Sequence, residues 1–115
     1  MTIPFVWFDN LGPARSKTTD FLKTNFGWSD NDIGPMTFLT NGTGAPFAAT
    51  CDAMPGVQGW VPYIEVDDLS EATARATQNG AEIVAQDLQG PAGVATFIKD
   101  PGGAALALWK RAEGM

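Results

Sequence analysis

Thirteen carboxylates, one tyrosine and one cysteine are the side chains in this 115-residue sequence best suited to acid–base or nucleophilic chemistry, and there is no histidine. That zero excludes imidazole as a general base, every Ser-His or Cys-His nucleophile pair, and every metal site that needs imidazole. Cys51 has no activating base near it in sequence and reads as a small buried hydrophobe. Being alone, it can form neither an internal disulfide nor a cysteine-rich zinc site. Asp67 and Asp68 stand at a helix start, and Asp100 stands in the turn Asp100-Pro101-Gly102-Gly103. Gly42-Thr43-Gly44 has neither the spacing nor the lysine of a phosphate-binding loop.

The background to these groups is one domain's worth of chain, 44% hydrophobic and 17% charged, enough for a globular core. Its net charge of −6 excludes a nucleic-acid partner and an anionic membrane surface, both of which need a basic face. The opening MTIPFVWFDN lacks the basic and apolar regions of a signal peptide. No apolar run approaches the ~18–20 residues of a membrane span. A soluble cytoplasmic protein is expected.

The elements that must position any site follow from periodicity. Ile3–Asp9 is short, β-branched and aromatic, and reads as a strand. Gly12-Pro13 ends it, and Ala14, Thr18, Phe21 and Leu22 recur at helical spacing as far as Asn25. Phe26-Gly27-Trp28 leads into the next strand, followed by strands at Met36–Thr40 and Pro46–Cys51 with a turn at Asn41-Gly42. Residues 53–59, with Met54-Pro55-Gly56, form a linker. The order then restarts. Trp60–Val66 is a strand, and Asp68-Leu69-Ser70-Glu71 fits a reciprocal capping box. Leu69, Ala72 and Ala76 stripe a helix that closes at Asn79-Gly80, and Glu82–Gln86, Val94–Lys99 and Ala104–Trp109 are three more strands. Trp7 and Trp60 recur at the same interval as Gly27 and Gly80, so the chain reads as strand–helix–three strands twice over.

The segments Trp7-Phe8-Asp9, Phe21–Trp28, Trp60–Leu69, Asn79-Gly80-Ala81 and Phe97–Gly103 with Leu106–Trp109 together resemble the vicinal oxygen chelate superfamily, the glyoxalase/bleomycin-resistance/dioxygenase proteins. The resemblance spans nearly the whole chain. It implies an α+β fold: two βαβββ modules in a single domain (about 1–52 and 60–115) form a curved mixed sheet around a cleft, with helices outside. It also implies a homodimer. In metal-using members, His and Glu on the first and last strands of each module chelate a divalent ion. The resemblance puts Trp7, Val61, Ala107 and one of Ala48 or Ala49 at those positions, and none can ligate a cation. Metal-dependent glyoxalase and dioxygenase activities therefore lose their chemistry, and no metal or cofactor is expected.

Alternation along a strand extends this placement. With Val61 turned into the cleft, Tyr63 and Glu65 follow. Trp7 brings Asp9, Ala107 brings Trp109, and on the middle strands Phe47, Ala49 and Cys51 share one face while Phe38 lies on another strand's face. The expected ligand-binding set is Trp7, Asp9, Phe38, Phe47, Ala49, Val61, Tyr63, Glu65, Ala107 and Trp109. Aromatic rings supply stacking area and alanines leave room, which suits a flat organic molecule. Asp9 and Glu65 could hold a cation or, if desolvated with raised pKa, serve as a base with Tyr63 as acid. The first expectation is metal-independent binding of a small aromatic or cationic molecule, as in the drug-sequestering branch of the resembled family. The alternatives are a metal-free lyase or isomerase using a carboxylate base, and a structural or regulatory module with a closed cleft.

Overall fold

A computed structural model describes residues 4–42 and 44–113. Its elements run β1 (Trp7–Leu11), α1 (Arg15–Phe26), β2 (Ser29–Ile33), β3 (Met36–Thr40), β4 (Ala48–Cys51), β5 (Gly59–Glu65), α2 (Leu69–Gln78), β6 (Glu82–Gln89), β7 (Gly93–Lys99) and β8 (Ala105–Arg111). This is the expected α+β order, βαβββ repeated. The first strand begins at Trp7; Ile3, assigned to it from sequence, lies outside the described residues. The chain divides into two compact units, Trp7–Val61 and the residues from Pro62 onward with those before Trp7.

In the first unit the strand order is β2-β3-β4-β1. The first two pairings are antiparallel and β4 runs parallel to β1. Helix α1 lies over β4. It ends where Gly27 adopts the left-handed conformation (φ 71°) and donates its amide to the Lys23 carbonyl at 3.0 Å, a geometry that costs glycine nothing. Leu22 of the helix, Leu39 of β3 and Ala48 of β4 form the core beneath it, with Trp28 and Phe47 packed alongside. Thr19 and Thr50 meet across the helix–sheet layer, their hydroxyls 2.7 Å apart, and Thr19 also donates to the Arg15 carbonyl. This buried pair of hydroxyls is thus satisfied, as burial demands.

The second unit has the order β5-β8-β7-β6, with β5 parallel to β8 and the other pairs antiparallel. Asp68 caps α2 by accepting the Glu71 amide at 2.9 Å. The reciprocal half of the expected capping box is replaced: the Glu71 carboxylate takes Arg75 one turn on, a pairing that suits helix spacing. Asp100 closes the β7–β8 turn by accepting amides from Gly102 (2.9 Å) and Ala104 (3.0 Å). Helix α2 packs on β8 and β7, the same side on which Leu108, Thr96 and Ile98 are buried. β6 carries irregularities in its pairing with β7, and Asp87 there has φ 56°.

Core position and exposed ring should respond differently to truncation. Leu39 is fully buried, so Leu39→Ala should lower the unfolding free energy by about 2–5 kcal/mol through lost burial and a residual cavity. Phe21 is 57% exposed, and Phe21→Ala should stay within about 0.5 kcal/mol. Urea unfolding of both variants measures the contrast; equal losses would displace Leu39 from the centre of this core.

Candidate functional site: two aromatic sheet faces

In each unit the strands hide one face under the helix, and alternation sends every second side chain to the other. In the first unit, register aligns Asp9 of β1, Ala49 of β4 and Phe38 of β3 in one row. Trp7, two residues before Asp9, meets Phe38 edge-on with ring centroids 5.4 Å apart and planes at 69°. Its indole Nε1 donates to Asp9 Oδ1 at 2.7 Å. The Cys51 thiol also hydrogen-bonds the Asp9 carboxylate, and burial foremost, then Asp9, pushes that thiol up to about 12. Asp9 is 3% exposed. It is an interior carboxylate held by an indole N–H and a thiol.

The second unit repeats the design with different residues. Tyr63 of β5, Ala107 of β8 and Phe97 of β7 share a row, so Asp9 and Tyr63 occupy corresponding places beside a central alanine. The register therefore matches Trp7 with Val61, one residue beyond the Trp60 that the sequence interval suggested. The Tyr63 and Phe97 rings stand edge to face over the alanine, centroids 5.8 Å apart. The next row is Glu65, Trp109 and Ala95. Glu65 receives a two-pronged hydrogen bond from Arg111, Nε to Oε2 and Nη2 to Oε1, both 3.0 Å. The same guanidinium lies 4.9 Å from the centre of the Trp109 ring. Trp109 in turn leans over Gly93, where an added Cβ would fall 2.6 Å from the indole nitrogen and 2.3 Å from the Lys110 carbonyl oxygen. Only glycine leaves that seat open.

The ten residues singled out from sequence thus separate. Trp7, Asp9, Phe38 and Ala49 gather on one face, and Tyr63, Glu65, Ala107 and Trp109 on the other; Val61 is wholly buried on β5. Phe47 is a correction. It precedes β4, so strand alternation does not reach it, and its ring packs 4.8 Å from Trp28 beside the α1 core. Between Ala48 and Ala49, the former belongs to that core and the latter to the aromatic face. The condition for a raised pKa at Glu65, desolvation, is not met: the Arg111 hydrogen bonds hold its carboxyl below the usual carboxylate range. Arg111 itself went unseen. The strand was expected to end at Trp109, whereas it runs to Arg111, which by the same alternation returns to the face of Trp109.

The residues standing at the resembled family's metal positions, Trp7, Val61, Ala107 and Ala49, offer no ligating atom. Among the described residues no three His, Cys, Asp or Glu side chains gather as a metal set. In the first unit a cavity of about 160 Å³ lies between α1 and β2–β3, lined by Arg15, Ser16, Thr19, Asp20, Asp30, Asp32 and Thr37 and by none of the residues singled out from sequence.

Two βαβββ modules with this strand order define a glyoxalase-like fold. Solved structures agree: a methylmalonyl-CoA epimerase from Streptomyces coelicolor superposes with TM-score 0.68 at 13% identity, over 97% of this chain and 99% of that one. The epimerase from Mycobacterium tuberculosis gives 0.65 at 16%, over 96% and 89%. No family model matches the chain. Among curated proteins, CFP32 of M. tuberculosis, which carries a glyoxylase name, is 32% identical over 90% of this chain and 44% of its own length. The anthracycline biosynthesis protein DnrV of Streptomyces peucetius is 28% identical over 91% and 46%. The chain thus spans just under half the length of these curated relatives. The curated relatives and the fold of the solved structures together point to the vicinal oxygen chelate, or glyoxalase-like, superfamily.

Two titrations test the site. With its pKa raised, Cys51 contributes stability that is intact below its ordinary value of 9.0 and lost as pH climbs toward about 12. A thiol reagent at about pH 8 should leave the native protein unlabelled and modify it fully in denaturant; prompt native labelling would contradict the buried pairing. Glu65, with its pKa lowered, contributes above the usual carboxylate range and loses that contribution as pH falls through its lowered value. The stability gap between wild type and Glu65→Gln should therefore close on acidification, and a gap independent of pH would sink the ion pair's role.

Proposed function

We propose that this protein binds a small aromatic organic molecule by stacking it on the ring-lined sheet faces, without a metal and without changing it chemically. The observation that carries the reading is the grouping of Tyr63, Phe97 and Trp109 around the single small residue Ala107, with Trp7 and Phe38 similarly placed beside Ala49. Trp7, Phe38, Tyr63 and Trp109 are half-buried, so their rings keep accessible edges and faces for a flat partner. Chemistry at these faces lacks its usual agents. Glu65 is tied to Arg111, Asp9 is enclosed by Trp7 and Cys51, and the metal positions hold aromatic and aliphatic side chains.

The same facts weigh the cationic half of the expectation. A cationic ligand needs a carboxylate to meet it, and both candidates already hold donors from the chain. An aromatic rather than a cationic molecule is therefore favoured. That one curated relative is an anthracycline biosynthesis protein supports a fused-ring ligand. A homodimer in the cytoplasm completes the proposal.

Titration with 9-anthracenemethanol, followed by tryptophan fluorescence in excess chelator, tests this. Stoichiometric quenching and recovery of the unaltered compound are expected. Trp109→Ala and Tyr63→Ala should each weaken binding roughly tenfold, the worth of one stacked ring. Binding that requires added divalent metal, or a product whose formation Asp9→Asn abolishes, would overturn the reading.

A further inference from the structure

Arg111 has more donors than Glu65 can use. A guanidinium carries five N–H groups in a planar fork. Glu65 engages the side-on edge, one hydrogen from Nε and one from Nη2. The end-on edge, formed by Nη1 and the second Nη2 hydrogen, has no partner among the described residues, and the side chain is 46% exposed. Two constraints fix where that edge points: the two-pronged bond to Glu65 and the Trp109 ring beneath the guanidinium plane. Trp109 is itself seated on Gly93, where no other side chain fits. An arginine whose plane is held from below and from one side has already lost most of its rotamer freedom, so a ligand that meets it loses little more.

The charge around it is also distinctive. Only seven basic residues occur in the chain, yet Lys110 and Arg111 are consecutive at the end of β8, and Lys110 also acts on Glu65. Glu65 is the one carboxylate that acts on Arg111 among the described residues. The pair is neutral, and Lys110 leaves the local balance positive in a protein of net charge −6. A second carboxylate meeting the end-on edge would find the two parallel N–H donors its oxygens match. Beside that edge, in the adjoining rows, lie Trp109 and then Tyr63 with Phe97.

We propose that Arg111 is an anion anchor and that the ligand of the second module is an aromatic carboxylate, its ring on Trp109 and Tyr63 and its carboxylate on the end-on edge of the guanidinium. This rests on the stacking function proposed above and adds the ligand's charge to it. Glu65, Trp109 and Gly93 act as positioning residues for the anchor.

Three naphthalene probes of matched shape decide the matter: 2-naphthoate, neutral 2-naphthamide and the cationic 2-naphthylmethylammonium, titrated into the intact protein at low and high salt. The carboxylate should bind about tenfold more tightly than the amide, as expected for a charge-assisted pair, and salt should erode that margin. Arg111→Gln should erase the margin between carboxylate and amide, and a far-ultraviolet circular dichroism spectrum matching wild type shows that the variant is folded. Arg111→Lys should keep only part of the margin, since the fork is lost and the charge is not. Equal binding of carboxylate and amide, or preference for the ammonium probe, would overturn the anchor while leaving the stacking function standing. Failure of all three to bind would overturn both.

Discussion

Alternation along β-strands, combined with a helix packed on one side of each module's strands, is the constraint from which the rest follows. In the first module α1 covers Leu39, Ala48 and Thr50, so Phe38, Ala49 and Cys51 go to the opposite face. In the second, α2 covers Leu108 and Thr96, so Ala107 and Trp109 go the other way. A sheet face without a helix has to satisfy its polar groups and shield its apolar ones by itself. Here it does so with rings that meet edge to face and with carboxylates held by the chain's own donors.

That solution separates the two modules chemically. The Asp9 position is closed: carboxylate, indole N–H and thiol form a small interior network, and the thiol is kept neutral by burial and by its anionic neighbour. The Glu65 position is open: its carboxylate is met by an arginine that remains half-exposed and stacked. In the corresponding row positions, Asp9 stands beside Ala49 in the first module and Tyr63 beside Ala107 in the second. One fold thus carries a sealed polar cluster on one module and an accessible aromatic–guanidinium surface on the other. The second is the more capable of recognition, because its groups are both preorganised and reachable.

How much of this was legible in the sequence depends on how local each feature is. Strands, helices and their order could be read because period-two and helical patterns, Gly27 and Gly80 punctuation and the Asp68 cap are all contained within a few residues. The face shared by Tyr63, Glu65, Ala107 and Trp109 was legible by the same alternation. Phe47 was misplaced because alternation was carried one residue beyond the strand, to a position whose direction is set by packing against Trp28. Arg111 was missed because its significance arises only when β5 and β8 lie side by side, bringing it to Glu65 from 46 positions away. The sign of the Glu65 shift went with it. A carboxylate read alone on an aromatic face invites a raised pKa, whereas the paired guanidinium reverses the effect. Gly93 gave no signal either, since its need for glycine comes from a tryptophan on the neighbouring strand.

The central claim is that flat aromatic molecules stack on these sheet faces without a metal. The chain's four tryptophans each supply one indole N–H resonance, a direct reporter for that claim. In a proton–nitrogen correlation spectrum recorded with chelator present, addition of a naphthalene probe should shift the Trp109 and Trp7 indole signals. Trp28, packed against Phe47 in the α1 core, and Trp60 should stay in place. Shifts confined to Trp28 or Trp60, or shifts at Trp109 and Trp7 only once a divalent metal is added, would contradict the account.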